Sequence, residues 1–194
     1  MLKIIKKIFL LSLFILSVNC EQASQNKSDS SSVVTVKVFS SLTCPHCADF
    51  HSEVYGKLKK GYIDVGRVKF EHHSFPLDLA ALNAEKILRC GKSSEVNFEF
   101  LGEIYKKQNK WSAGLEIIAI NNSVKTIGKK FNLTESQMNV CLEDKKLEEK
   151  ILNERIEAQK KYKINSTPTI YINEKKYEGE RDYKSFKKAI DKLL

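Results

Sequence analysis

The sequence predicts an α/β domain with a large helical insertion, and three observations predict it. Two apolar, β-rich runs flank a helical segment early in the folded region. The segment 77–162 then carries helical periodicity almost without interruption. Strand signals return only after Lys163, ahead of a terminal amphipathic helix. The element order is therefore β-α-β, a block of helices, then β-β-α, with no internal repeat. A chain of 194 residues suits one domain with an insertion better than two independent cores. At 42% hydrophobic residues, with 3 prolines and 8 glycines, it is neither disordered nor collagen-like.

Residues 1–19 read as a secretory signal peptide: Lys3, Lys6 and Lys7 precede an apolar and serine run from Ile8 to Val18. Eleven helical residues reach about 16 Å, half of a bilayer core of about 30 Å, so the run is too short to span. Cys20 follows at once. It resembles the acylated first residue of a mature lipoprotein, although Asn19 stands where such signals usually have Gly, Ala or Ser. The competing reading is ordinary cleavage nearby, with Cys20 discarded or left free. Residues 20–32 are polar and aperiodic, the composition of a flexible tether.

Export changes the charge. Loss of residues 1–19 removes three lysines and no acids, so a net +9 becomes +6 on 175 residues. Lysine pairs such as Lys106-Lys107 and Lys160-Lys161 are scattered and accompany no recognition motif, which argues against nucleic acid as a partner.

The folded region begins with Val33 to Phe39, apolar and β-branched, a buried strand. Ser40 to Thr43 turns into Cys44-Pro45-His46-Cys47. Pro45 suits a first helical turn, where its missing N–H costs nothing. From Ala48 to Lys60, Phe50, Val54, Tyr55 and Leu58 share one helical face, and Gly61 is the expected stop. Arg67 to Phe75 is the second strand, ending at Pro76. Helical signals follow around Leu77 to Leu88, Phe98 to Tyr105 and Leu115 to Ile127. A short helix from Asn132 to about Leu142 precedes a long, charged one marked by Leu147, Ile151 and Ile156. Thr169 to Ile172 is a short strand, Asn173 to Lys175 a turn, and Lys176 to Glu178 its hairpin partner. Tyr183, Phe186, Ile190 and Leu193 mark the last helix.

Five cysteines allow two pairs and one left over. A Cys-x-x-Cys where a strand meets a helix has a physical rationale. First-turn amides and the helix dipole stabilise negative charge, so the Cys44 thiol should ionise well below about 8.5. His46 offers a charged or hydrogen-bonding group beside that thiolate. Cys47, one turn further in, should be less exposed and act as the resolving thiol. A stabilised thiolate stabilises the reduced form and makes the disulfide a stronger oxidant. The alternatives are a Cys/His site using His51, four residues after Cys47, and a purely structural disulfide. A zinc site lacks its second Cys-x-x-Cys, and a four-residue loop gains little from closure. His72 and His73, at the end of the second strand, read as satisfied structural histidines. Thr167-Pro168 precedes the next strand, and the default for such a bond is trans.

Together these pieces resemble the thioredoxin fold: strand, Cys-x-x-Cys, helix, strand, then Thr167-Pro168 before a hairpin and a terminal helix. The Cys44-Pro45-His46-Cys47 version, the helical insertion and the export signal resemble the DsbA family of thiol–disulfide oxidoreductases. Thr169-Ile170 and Tyr177-Glu178-Gly179 add to that resemblance, which covers most of residues 33–194. It implies a thioredoxin-like domain from 33–76 and 163–194, with 77–162 an inserted helical domain capping the active-site side. It also implies that Cys44 is the nucleophile, Cys47 the resolving cysteine and Pro168 a cis-proline facing them. Thr167 then presents its backbone to a substrate peptide.

The function so implied is that of an exported oxidase in the bacterial periplasm or cell envelope. It gives its disulfide to reduced, unfolded secreted proteins and is reoxidised by a DsbB-like membrane quinone reductase. The redox group is the cysteine pair, with no further cofactor. Nothing in the sequence predicts assembly, so a monomer is expected. Disulfide isomerase or reductase is the alternative within this class. Outside it stand a soft-metal protein holding Cu(I) on Cys44, His46, Cys47 and His51, and a lipoprotein whose motif is idle. In an oxidising compartment Cys90 and Cys141 are expected to pair as a structural disulfide; two buried free thiols are the other reading.

Overall fold

The computed structural model describes residues 33–91, 96–112, 114 and 116–194; the expected signal peptide, Cys20, the tether and Leu115 lie outside them. Among the described residues no helix is long and apolar enough to cross a membrane.

Strand β1, Val34–Ser40, lies in the middle of a four-stranded sheet of order β2-β1-β3-β4. It pairs in parallel with β2, Val68–Ser74, from Val34 opposite Val68 to Ser40 opposite Ser74. On its other side it pairs antiparallel with β3, Thr169–Ile172, and β3 continues into the two-residue β4, Lys175–Lys176. Val34, Val36 and Val38 are all buried, as a central strand covered by helices requires.

Helix α1, residues 45–63, connects β1 to β2. It starts as an α-helix, Pro45–Phe50, and passes through π turns at His51–Tyr55 and Lys59–Ile63. It therefore runs past Gly61, the expected stop. Buried Tyr62 holds the last turn in place, its hydroxyl donating to Asp191 Oδ1 at 2.5 Å. The hairpin also differs from expectation by one residue. Asn173 and Glu174 both take left-handed conformations (φ 44° and 64°), so the turn needs only two residues and pairing resumes at Lys175.

Between the parallel strand and the hairpin lie helices α2 (Leu79–Leu88), α3 (Phe98–Lys106), α4 (Gln108–Trp111), α5 (Ile117–Gly128), α6 (Glu135–Glu143) and α7 (Lys145–Tyr162). Helix α8, Tyr183–Asp191, packs Phe186 and Ile190 under the sheet. One apolar cluster joins β1, α1, β3 and α8. A second is built largely from the inserted helices around Trp111, Phe100, Ile104 and Met138, and it takes in Cys44 and Cys47. The redox pair is thus seated in the core of the insertion, at its boundary with the sheet.

Cys90 and Cys141 form a disulfide that ties the end of α2 to α6. Beside it Lys86, fully buried, donates to the Leu142 carbonyl at 2.5 Å and to Glu148 at 2.8 Å. Closing a 51-residue separation restricts the unfolded chain by about 4 kcal/mol. Urea unfolding of the Cys90→Ala/Cys141→Ala variant should accordingly show a stability loss of that order, and an unchanged midpoint would contradict it.

Candidate active site

Cys44 is the residue preceding the first turn of α1, with extended φ/ψ of −78° and 119°, and Pro45 stands inside that turn. This places the Cys44 sulfur where the first-turn amides of His46 and Cys47 converge. The cysteines are free thiols, 7% exposed at Cys44 and 2% at Cys47. As a thiol, Cys44 donates through Sγ to the Thr167 carbonyl at 3.3 Å, and the Thr167-Pro168 bond is cis. Thr167 and Pro168 therefore face the redox pair.

The electrostatics divide the two sulfurs. A hydrogen bond from Cys47 is the largest influence on Cys44. Burial opposes ionisation, but Thr167 and the backbone N–H groups of Cys47 and His46 add to the stabilisation, and the Cys44 thiol falls to about 5. Cys47 moves the other way: burial is the main cause, reinforced by its hydrogen bond to Cys44 and by the Cys44 charge, and its thiol is pushed far up. One sulfur is a ready nucleophile at neutral pH and the other is held protonated. The Thr167 hydroxyl, buried and without another hydrogen-bond partner, belongs to this group; the sequence reading singled out only its backbone.

His46 corrects the expectation. Its side chain is 74% exposed and turns to Asp49, 3.7 Å away, so its contribution at Cys44 is the backbone N–H and not the ring. First-turn amides point out of the helix N-terminus, so the His46 N–H reaches Cys44 whichever way its ring turns. Cys44, His46, Cys47 and His51 do not converge either, and among the described residues no group of three or more His, Cys, Asp or Glu side chains is placed to hold a metal.

The insertion holds the active-site loop from two sides. Thr43 Oγ1 donates to Asp78 Oδ2 at 2.7 Å, and Asp78 also caps α2 by accepting from the Ala81 amide. Gln108, buried on α4, donates through Nε2 to the carbonyls of Leu42 at 2.8 Å and Cys44 at 2.9 Å. No motif marks Gln108 in the sequence, because its role exists only once α4 docks against the loop. Replacing Gln108 by Ala strands two buried carbonyls. The expected cost is about 1–3 kcal/mol in urea unfolding, together with faster alkylation of Cys47 as the loop loosens.

Beneath Cys47 lies a buried polar chain. His72 engages Ser40 Oγ through Nδ1 at 3.1 Å and Glu85 through Nε2 at 3.2 Å. Arg89 completes it, reaching Glu85 at 2.8 Å and Glu154 at 2.7 Å. Burial opposes ionisation of Glu85, but His72 and Arg89 outweigh it and hold the carboxyl down at about 2. His73 stacks on Phe39 and bonds Glu71 at 3.1 Å. Both histidines are satisfied groups of the fold.

His51 is different. Its ring lies between Tyr55 and Tyr105, centroids 4.4 and 5.1 Å away, and its Nε2 is buried without a partner. Burial, with His72 nearby, pushes its pKa down to about 4. The unfolded chain takes up this proton below about 6.5 and the folded chain does not, so stability falls with pH from about 6.5 to 4 and levels off below. The gap is worth about 3 kcal/mol. Urea midpoints between pH 7 and 4 should show that fall on top of the loss from Cys44, and His51→Gln should remove its own share and leave the Cys44 part.

Comparison with known proteins agrees with this geometry. The Thioredoxin family profile matches residues 28–192. Probable disulfide bond formation protein D of Bacillus cereus is 32% identical over 179 residues, spanning 89% of this chain and 79% of that protein. A relative from Rickettsia bellii, named for protein-disulfide oxidoreductase activity, is 29% identical over 164 residues, and the chain spans only 61% of its length. The crystal structure of Wolbachia pipientis alpha-DsbA1 superposes with a TM-score of 0.75 at 30% identity, covering 82% of this chain and 85% of that one. By the family match and these likenesses the chain belongs to the thioredoxin family, among its DsbA-like members.

Proposed function

We propose that the protein is an exported thiol oxidase that passes its Cys44–Cys47 disulfide to reduced cysteines of unfolded secreted proteins. The observation that carries this reading is the division between the sulfurs, Cys44 held near the thiolate and Cys47 held protonated beneath it. In the oxidised protein a substrate thiolate attacks Cys44 Sγ, and the Cys44–Cys47 bond breaks with its electron pair on Cys47, which takes a proton. A second substrate thiolate then attacks the substrate sulfur of the mixed disulfide. Cys44 leaves as a stabilised thiolate, and two electrons have moved from substrate to protein. The cysteine pair is the whole redox group, so the exchange needs no further cofactor.

The Thr167 carbonyl beside Cys44 is placed to accept from the backbone of an extended substrate peptide, which would make Thr167 and Pro168 the binding edge. Turnover needs an external oxidant, which we assign to a DsbB-like quinone reductase in the membrane. The basic, apolar leader and Cys20 support a periplasmic or envelope location with a lipid on Cys20, and the protein acts as a monomer. The test is to mix oxidised protein with a peptide carrying two cysteines. One peptide disulfide and two protein thiols per exchange are expected, and no transfer would overturn the reading.

A further inference from the structure

Exchange at this site requires a buried thiol to gain and lose a proton. Each time Cys47 attacks a mixed disulfide its proton must leave, and each time it departs as a thiolate a proton must return. Cys47 is 2% exposed, so bulk solvent does not do this directly. The structure offers two groups nearby. Cys47, Ser40, His51, His72 and Tyr105 line one small internal cavity of about 10 Å³, room for a single water. His72 already uses both ring nitrogens, on Ser40 and Glu85. His51 has its Nε2 buried and unpartnered.

His51 also lines a second space. An open groove of about 620 Å³ runs past Pro45, His51, Gly102 and Lys106, and His51, with Tyr105, lines both it and the Cys47 cavity. The ring can sit there because residue 102 has no side chain: an added Cβ would lie 3.3 Å from His51 Cε1 and 4.0 Å from Nδ1. A π turn begins at His51, the kind of helix distortion that often accompanies a functional position.

From this placement we infer that His51 carries protons between Cys47 and the groove. The inference rests on the proposed oxidase reading. When Cys44 enters a mixed disulfide its negative charge disappears, and with it two of the three influences that keep Cys47 protonated. The Cys47 proton then passes through the cavity to His51 Nε2 and the Nδ1 proton leaves to the groove, while the new thiolate attacks Cys44 Sγ. The sequence reverses when Cys47 is the leaving group. An imidazolium formed transiently here sits beside the new thiolate, which offsets its burial. The groups facing it are Tyr55 on its own helix, Tyr105 on α3 and His72 on β2, with Asp49 and Lys106 at the groove.

The reduced protein treated with dithiobis-nitrobenzoate reads the two sulfurs separately. Cys44 attacks first and releases one thionitrobenzoate; Cys47 then displaces the second and closes the disulfide. His51→Gln should leave the first phase unchanged and slow the second about a hundred-fold, the scale of a lost general base. Its second phase should also become proportional to hydroxide between pH 5 and 8. An unchanged second phase, or equal slowing of both, overturns the inference. Should the variant not fold, the wild type decides. A second phase slower in D2O and less than proportional to hydroxide upholds the carrier, whereas strict proportionality with no isotope effect removes it. A wild-type protein whose Cys44 gave no fast first phase would instead sink the oxidase reading.

Discussion

Cys44→Ala should reduce oxidation of a two-cysteine peptide to the uncatalysed rate. Among the described residues no other sulfur is placed to take over. Cys47 lies deeper and its thiol is held protonated, and Cys90 and Cys141 are bonded to each other. Cys47→Ala is the informative counterpart. Its Cys44 should still react with an activated disulfide but should have nothing to resolve the product, so a stable mixed disulfide should accumulate and be seen by intact mass. Retained peptide oxidation in Cys44→Ala would remove the nucleophile assignment.

The second large effect is on the reduction potential. A Cys44 pKa of about 5 leaves the thiolate favoured about a hundred-fold at pH 7, or about 2.7 kcal/mol. Solvent on the open side of the sulfur screens this to about 2 kcal/mol. For a two-electron couple that is about 40 mV, all of it on the side of the reduced form. Equilibration with glutathione buffers should therefore give a potential above about −230 mV, between thioredoxin at about −270 mV and DsbA at about −120 mV. The sign with pH is fixed as well. The reduced form gains stability from Cys44 as pH rises from about 5 towards 9, where the unfolded thiol ionises too, and loses it as pH falls through 5. Alkylation of Cys44 should inflect near pH 5. A potential at or below −270 mV would mean that the thiolate is not preferentially stabilised, and reductase or isomerase would become the better description.

Much of the fold was legible because its signals are local. The β-branched run of β1, the Cys-Pro-His-Cys turn and the apolar face of α1 each follow from a few neighbouring residues. What was not legible depends on groups far apart in sequence. The helix outruns Gly61 because Tyr62 finds Asp191, and the hairpin tightens because Asn173 tolerates a left-handed turn while accepting from the Thr35 amide. The redox pair was readable, but its surroundings were not. Gln108 and the His72–Glu85 pair reach it from the insertion or across the sheet, and His46 looked relevant only because it is adjacent in sequence. His51 drew notice as a metal donor next to Cys47; its real setting, between two tyrosines and against Gly102, required the packing of α3.

The bond between Cys90 and Cys141 makes the proposed oxidase a client of its own chemistry. On that proposal a newly exported chain would arrive with its cysteines reduced, and the core that seats Cys44 and Cys47 is the one this bond fastens. Maturation would then depend on copies already finished, or on the oxidant that serves them. Such a system would be autocatalytic. A cell that has lost its active pool would restart slowly, with a lag set by the first few molecules to close that bond unaided.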